Sequence, residues 1–600
     1  MIDILIRVPE THHARVTYIF SLFMNILGLK YRFLQAAEDG QPGETGQPGE
    51  TSSQGNLLLY YGNLPGECDR HPGRGQLCIQ AALGEEAPDE IRHLRWGDWP
   101  LPVLFWKDVK LTGTPLIHFS DAPGPAAVFQ EENKRILVSA DLMWSCFYLV
   151  SRREEHDPEM RDELGRFPPG ASLAFRQGFL GFPVVDATVA LLDSLLTRLY
   201  RAGRMPCLRA ARWPGGRRWA LCLSHDVDWV KKWTPGGIVK YLLQLDRPRG
   251  WGDGNWRRRL KAVLRDLRAG RDPYDNIEHI LKLESNHQAV STFFFLPGVP
   301  DTRRAGRKIL GKYPGRFDVG LNARRIRQAG GEVELHGSFG SYDDEGQLAR
   351  EREMLQHRTG FHPRGVRQHF LRYRFPETAR CHDGIGLAYD STLGFGDRPG
   401  YRCGISFPYH LFDLSEDRRM GIVEIPLVIM DGALSLIPGE STEAPTEASS
   451  WATVDELLGR AEQFGGVCTL LWHNTSFAQG DDGGLLRNIY IRSLQQARGS
   501  QAWLCSCGQL MDWWRWRSGI ELDAETGGSD GEYRWRLRLP SGGQRPLMME
   551  FLGHGSFRPM IAGGRGRVLS EGTRGEEGWM GLEISDWDRQ DLSVRLMPPS

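Results

Sequence analysis

The sequence predicts an α/β protein whose centre is an incomplete barrel of parallel strands alternating with helices, and three observations predict it. Apolar runs suited to buried strands recur between about residues 212 and 516, with helical stretches between them. Several of these runs end abruptly in polar side chains. Leu221 to Leu223 leads into Ser224-His225-Asp226-Val227-Asp228, Val333 to Leu335 leads into His336, and Leu470 to Trp472 leads into His473. In barrels of this kind the chemistry gathers at the carboxyl ends of the strands, which is where each polar cluster falls. Weaker versions occur at Gly365 to His369, which carries Arg367, and at Gly386 to Asp390. All five ends are expected to face one mouth. A single histidine in such a place more often caps a core strand and bonds to backbone; the set favours a site.

Six hundred residues exceed one core, and three regions are expected. The first, 1–205, reads as a separate α/β domain. Val16 to Leu29 is too short to span a bilayer and is broken by Ser21 and Asn25, so a packed amphipathic helix is expected there. Asn56 to Tyr61 reads as a strand and Val185 to Tyr200 as a helix. Between them Gly40 to Thr45 repeats at once as Gly46 to Thr51, a Pro/Gly-rich hexapeptide that cannot build a core, so 38–55 is taken as a flexible loop. The run Arg152-Arg153-Glu154-Glu155-His156-Asp157 is read as a solvated face or helix end.

Arg212 to Arg218, basic and glycine-rich, marks the boundary before the central region, 212–516. There Val290 to Leu296 and Gly421 to Met430 read as strands and Leu348 to His357 as a charged helix. Gly432 to Ser450 reads as a soft loop, with Thr453 and Glu456 as a capping box opening the next helix. Beyond Gly519 short alternating segments, Tyr533 to Leu539 and Leu592 to Met597 among them, predict a small β-rich region over 519–600.

Lysine plus arginine (74) nearly equals aspartate plus glutamate (75), so no global field draws nucleic acid or an anionic membrane. The first ten residues lack the basic start and long apolar core of a secretory signal, so a cytoplasmic location without a membrane span is expected. The ten cysteines are scattered, several inside apolar strands, as in a reducing compartment. Cys505 and Cys507 lack a second pair at zinc-finger spacing and are not counted as a metal site.

Side chains alternate across a strand, so Asp226 and Asp228 share a face while His225 and Val227 take the other. Two carboxylates on one face suit a metal, a general base, or both. At these residues the central region, roughly Trp219 to Cys507, resembles the polysaccharide deacetylase family of metal-dependent carbohydrate esterases, in a divergent branch with an extra amino-terminal domain. The resemblance implies an incomplete (β/α) barrel that removes acetyl groups from a glycan or glycan precursor.

By resemblance, Asp226 is the general base, Arg367 the residue that orients it, and His473 the general acid. The family's usual metal aspartate is replaced by Val227, and Gly340 stands where its second histidine ligand would be. Asp228 and His336 are therefore expected to bind a divalent metal with His369 as the third ligand, a donor set that suits zinc. His225 is disfavoured because it points away. A catalytically inactive carbohydrate-binding or scaffold protein of the same fold is the competing expectation, and a glycoside hydrolase the third. A phosphohydrolase of the His-Asp type is discarded, since that class sets its ligands on helices.

Overall fold

The computed structural model describes the chain except residues 35–56, 63–74, 82–89, 97–98, 106–113, 121–124, 131–133, 158, 204, 244–255, 298–316, 437–445, 479–483, 526–532, 542–546, 554–557, 563–564, 574–577, 586–590 and 598–600. The loop expected at 38–55 lies outside the described residues. Two compact units emerge: Met1–Leu149 with Val184–Arg217 and Trp513–Ser600, and Val150–Pro183 with Arg218–Asp512.

In the first unit a nine-stranded sheet runs parallel through Tyr31–Leu34, Ile2–Ile6, Leu57–Gly62, Gln76–Gln80 and Arg135–Val138, then continues with antiparallel neighbours to Trp99–Phe105. The expected amphipathic helix is Glu10–Leu27, its apolar residues buried, and the expected later helix is Val184–Ala202. Among the described residues no helix is long and apolar enough to cross a membrane. The strands beyond residue 519 form two four-stranded sheets, one of which recruits Cys207–Ala210 antiparallel to Leu547–Gly553.

The second unit is built on a mostly parallel sheet. Its order is Tyr409–Asp413, Arg418–Glu424, Tyr389–Asp390, Gly365–Gln368, Glu332–Gly337, Thr292–Phe295, Ala220–Val227, Val467–Leu471 and Ile429–Met430, and only Tyr409–Asp413 is antiparallel. Trp503–Ser506 pairs with the first half of Ala220–Val227, the half that Thr292–Phe295 leaves uncovered. The sheet is curled rather than flat. Arg367 lies three strands from Asp226, about 14 Å in a flat sheet, yet its guanidinium donates to the Asp226 carboxylate at 2.9 Å. At the opposite end of the strands Tyr389, two strands from Glu332, reaches that carboxylate at 3.3 Å.

Four sequence readings are corrected here. Gly421 to Met430 is not one strand but two, Arg418–Glu424 and Ile429–Met430. Residues 431–436 are helical, and the next helix, Glu447–Phe464, opens at Thr446, whose hydroxyl accepts from Ser449 N at 3.1 Å in a reciprocal capping box; Thr453 sits inside that helix. The charge run at 152–157 is not a solvated face. Arg152 and Glu155 are fully buried, and Glu155 accepts from Arg152 at 2.6 Å and from Arg402 at 2.6 and 2.8 Å. Burial opposes its charge, but the two guanidiniums hold its carboxyl down at about 2.

Candidate metal and catalytic site

The strand Ala220–Val227 is buried throughout and delivers Asp226 to the inside of the curl, with Asp228 one residue past its end. His225 takes the other face, as alternation requires. His336, next to last in the strand Glu332–Gly337, faces the inside of the curl. His369 follows the strand Gly365–Gln368 in a tight turn, where Phe370 and Leu371 have φ of 63° and 53°. Two successive non-glycine residues in the left-handed region are costly, and here they turn the chain just after the imidazole.

Ligand atoms of Asp228, His336 and His369 all lie within 4.8 Å of one another. Asp228 Oδ1 is 3.2 Å from His336 Nε2, and Asp228 Oδ2 is 3.6 Å from His369 Nε2. The first separation is close to the edge, about 3.3 Å, of a tetrahedron with bonds of 2.0–2.1 Å, and the second runs from the other carboxylate oxygen. His336 Nδ1 lies 2.8 Å from Arg367 O; as the N–H donor there, it leaves Nε2 with its lone pair facing Asp228. Both His336 Nε2 and Asp228 Oδ1 are buried without a hydrogen-bond partner. Buried polar atoms rarely go unpaired, so two in one spot mark a place built for something else to fill. Two imidazoles and a carboxylate fit a divalent first-row ion such as zinc.

Electrostatics point the same way. Burial alone would raise the Asp228 carboxyl, but His369, His336 and His473 hold it well below the usual carboxylate range. Burial disfavours a charged His336, yet Asp226 and then Asp228 push its pKa up. The cluster thus favours positive charge at its centre.

Asp226 is fixed beside this group. Arg367, fully buried, donates from Nη1 to Asp226 Oδ1 at 2.9 Å and to Ser224 Oγ at 2.8 Å. Its Nε and Nη2 are held by Ser391 O and Oγ at 2.8 and 2.9 Å, and its plane lies over Phe294 at 4.4 Å. Every edge of the guanidinium is engaged, which fixes the carboxylate's orientation. Asp226 Oδ2 faces His336 Nε2 at 3.7 Å.

His473 closes the arrangement, with Nε2 3.7 Å from Asp228 Oδ2. Asp431, absent from the sequence reading, holds it: Asp431 Oδ1 pairs with His473 Nδ1 at 2.7 Å and Oδ2 accepts from His473 N at 2.8 Å and Ser476 Oγ at 2.5 Å. Burial works against the charged ring, but Asp431, then Asp228 and Asp226, push its pKa up to about 10. The signal for Asp431 was present in the sequence, because Val428-Ile429-Met430 ends in an acid just as the strand before Asp226 does.

The structure therefore brings together all six residues singled out from the sequence. One polar strand end does not join them. Asp390 is fully buried and spends its carboxylate on His382 Nδ1 at 2.9 Å and Thr392 Oγ1 at 2.5 Å.

These features define a curled parallel-sheet protein with a two-histidine, one-carboxylate cluster at the strand ends. Residues 4–201 match the model of DUF7033, a family of unknown function. No curated protein matches the chain. Among solved structures, it is similar to a protein assigned as a polysaccharide deacetylase from Mycobacterium smegmatis, at 19% identity over 51% of this chain and 93% of that one, with a TM-score of 0.33. A similar protein from Pseudomonas aeruginosa, also assigned as a polysaccharide deacetylase, is matched at 17% identity over 53% and 96%, with a TM-score of 0.33. A CE4 family pseudoenzyme from Bacillus anthracis is matched at 13% identity over 50% and 67%, with a TM-score of 0.24.

Proposed function

We propose that the central barrel is a metal-dependent hydrolase that removes acetyl groups from a glycan or glycan precursor. The observation that carries this reading is the pair of orphaned, buried atoms, His336 Nε2 and Asp228 Oδ1, set between an arginine-held carboxylate and an aspartate-held imidazole. Asp228, His336 and His369 would hold the ion, which would supply Lewis acidity toward the acetyl carbonyl and lower the pKa of water.

The remaining chemistry belongs to the chain. Asp226 is the general base, accepting the attacking water's proton at Oδ2 while Oδ1 stays committed to Arg367. Arg367 keeps that carboxylate ionised and pointed. His473, held protonated by Asp431, donates its Nε2 proton to the departing amine or alcohol, which is a poor leaving group without it. The cytoplasmic setting expected from the sequence would make the substrate an intracellular sugar derivative.

The test is elemental analysis of the purified chain beside Asp228→Ala, His336→Ala and His369→Ala, followed by acetate release from acetylated glycans. About one divalent ion per chain, lost in each variant, is the expected result. A chain that takes up no zinc, cobalt, nickel or manganese would defeat the hydrolytic mechanism and put the carbohydrate-binding reading in its place.

A further inference from the structure

Exposed large apolar side chains are concentrated in one short stretch. Of the eleven recorded among the described residues, six fall between Trp229 and Leu267: Trp229, Val239, Leu243, Trp256, Leu264 and Leu267. Leu243 and Trp256 remain 63% and 56% exposed. Apart from Trp229, these side chains lie on two helices, Pro235–Leu243 and Trp256–Arg268.

The helices are packed together, so this exposure is not that of a loose end. Trp233, Tyr241 and Val263 form a small core with Ile238, and Arg259 donates to Leu242 O at 3.1 Å. The pair is also tied to the rim of the site. Lys232 N and Trp233 N donate to the Asp272 carboxylate at 2.8 and 3.0 Å, and the Asn474 amide, next to His473, donates to Trp229 O and Tyr274 O at 2.6 and 2.9 Å.

The second helix has three faces. Arg259, Val263 and Asp266 are buried. Trp256, Leu260, Leu264 and Leu267, spaced four, four and three residues apart, form a neighbouring apolar stripe, of which Leu260 is half-buried and the others exposed. Arg257, Arg258, Lys261, Arg265 and Arg268 form a third, exposed and basic face. The helix carries six basic residues against one acid, in a chain whose net charge is −1. An apolar stripe flanked by arginine and lysine, with tryptophan at its edge, is the pattern of a helix that lies in a membrane interface.

We propose that this helical pair docks the protein on the surface of an anionic phospholipid bilayer, with the stripe Trp256, Leu264 and Leu267 in the acyl boundary and the basic face on the headgroups. A polyanion such as nucleic acid would use the basic face and has no use for the apolar stripe, so the bilayer is the partner that accounts for both. Docking here sets the mouth near Asp228 and His473 beside the lipid, through the Trp229 and Asn474 ties. The inference is independent of the hydrolytic reading, because vesicle binding is measured without turnover.

Flotation of the full chain with vesicles of phosphatidylcholine, with and without phosphatidylglycerol, tests it. Binding at about 0.1 M salt is expected to be at least about tenfold stronger to the anionic vesicles, and to fall about tenfold both in a Leu264→Ser, Leu267→Ser variant and in an Arg257→Glu, Arg268→Glu variant. Hydrogen exchange of the unaltered chain gives a second reading that needs no variant: protection over 235–243 and 256–268 when anionic vesicles are added. No flotation, or exchange in those helices untouched by vesicles, overturns the proposal. Full retention by the serine variant together with equal retention on duplex DNA also overturns it, and assigns the face to a polyanion.

Discussion

The strand Ala220–Val227 serves two histidine and carboxylate clusters, one on each face, and they differ in how far their polar atoms are satisfied. On the outer face His225 Nδ1 pairs with Trp472 O and Nε2 with Glu284 Oε1, both at 2.9 Å; Tyr490 and Ser291 supply Glu284 with further hydrogen bonds at 2.5 and 2.8 Å. That cluster is closed. On the inner face His336 Nε2 and Asp228 Oδ1 have no hydrogen-bond partner. Both clusters pair imidazole with carboxylate, but the outer one is fully buried and satisfied, while the inner one is partly open at Asp228 and keeps unspent bonding capacity.

The largest effect that sharpens this contrast is on turnover. Asp226→Asn keeps the shape of the inner cluster and its metal ligands, and should lower acetate release by about 100- to 10,000-fold while leaving metal content unchanged. Loss of metal in that variant would make Asp226 a ligand and collapse the distinction between base and metal site.

The matching change on the outer face acts on stability. His225→Phe leaves Glu284 buried without its imidazole, at a cost of about 1–3 kcal/mol by denaturant unfolding, with one metal per folded chain retained. Metal loss there would show that the two faces are one site.

A third effect is a shift in titration. The raised pKa of His473 stabilises the metal-free fold fully below the ordinary histidine value of 6.5, and that contribution is lost as pH rises through about 10. Asp431→Asn should move the ring's NMR titration down toward 6.5 and bring the alkaline fall in kcat/KM to lower pH. An unmoved ring would remove Asp431 from the role of its partner. The smallest effect belongs to the closed cluster: Tyr490→Phe removes one hydrogen bond to Glu284 and should cost about 1 kcal/mol, with metal content and turnover unchanged.

What could be read from the sequence was mostly local. An apolar run ending in a polar residue announces both a buried strand and the end of the sheet where it delivers its side chain, and period-two alternation separates Asp226 from His225. Distances across the sheet are set by its curl, which no single run encodes. The strand-end grammar placed the polar ends at one mouth, but the Arg367 contact with Asp226 was implied there only by resemblance.

Local patterns mislead at three places. Asp390 has the same sequence grammar as the site residues, but its carboxylate is consumed by His382 and Thr392. Asp431 was passed over because a loop was expected just beyond it, where the structure has a helix. The capping box slid from Thr446 to Thr453 for the same reason, since both sit before apolar periodicity and only tertiary packing chooses between them.

The buried Arg152, Glu155 and Arg402 group bears on how this protein could have been assembled. Glu155 comes from a segment before the long helix Val184–Ala202, while Arg402 comes from deep within the barrel region. A gene fragment starting near Arg212 would carry Arg402 but leave its counter-charge behind, stranding a guanidinium in the interior. Excising the barrel as one continuous stretch is therefore expected to destabilise it, because its compact unit includes the short Val150–Pro183 piece that carries Glu155.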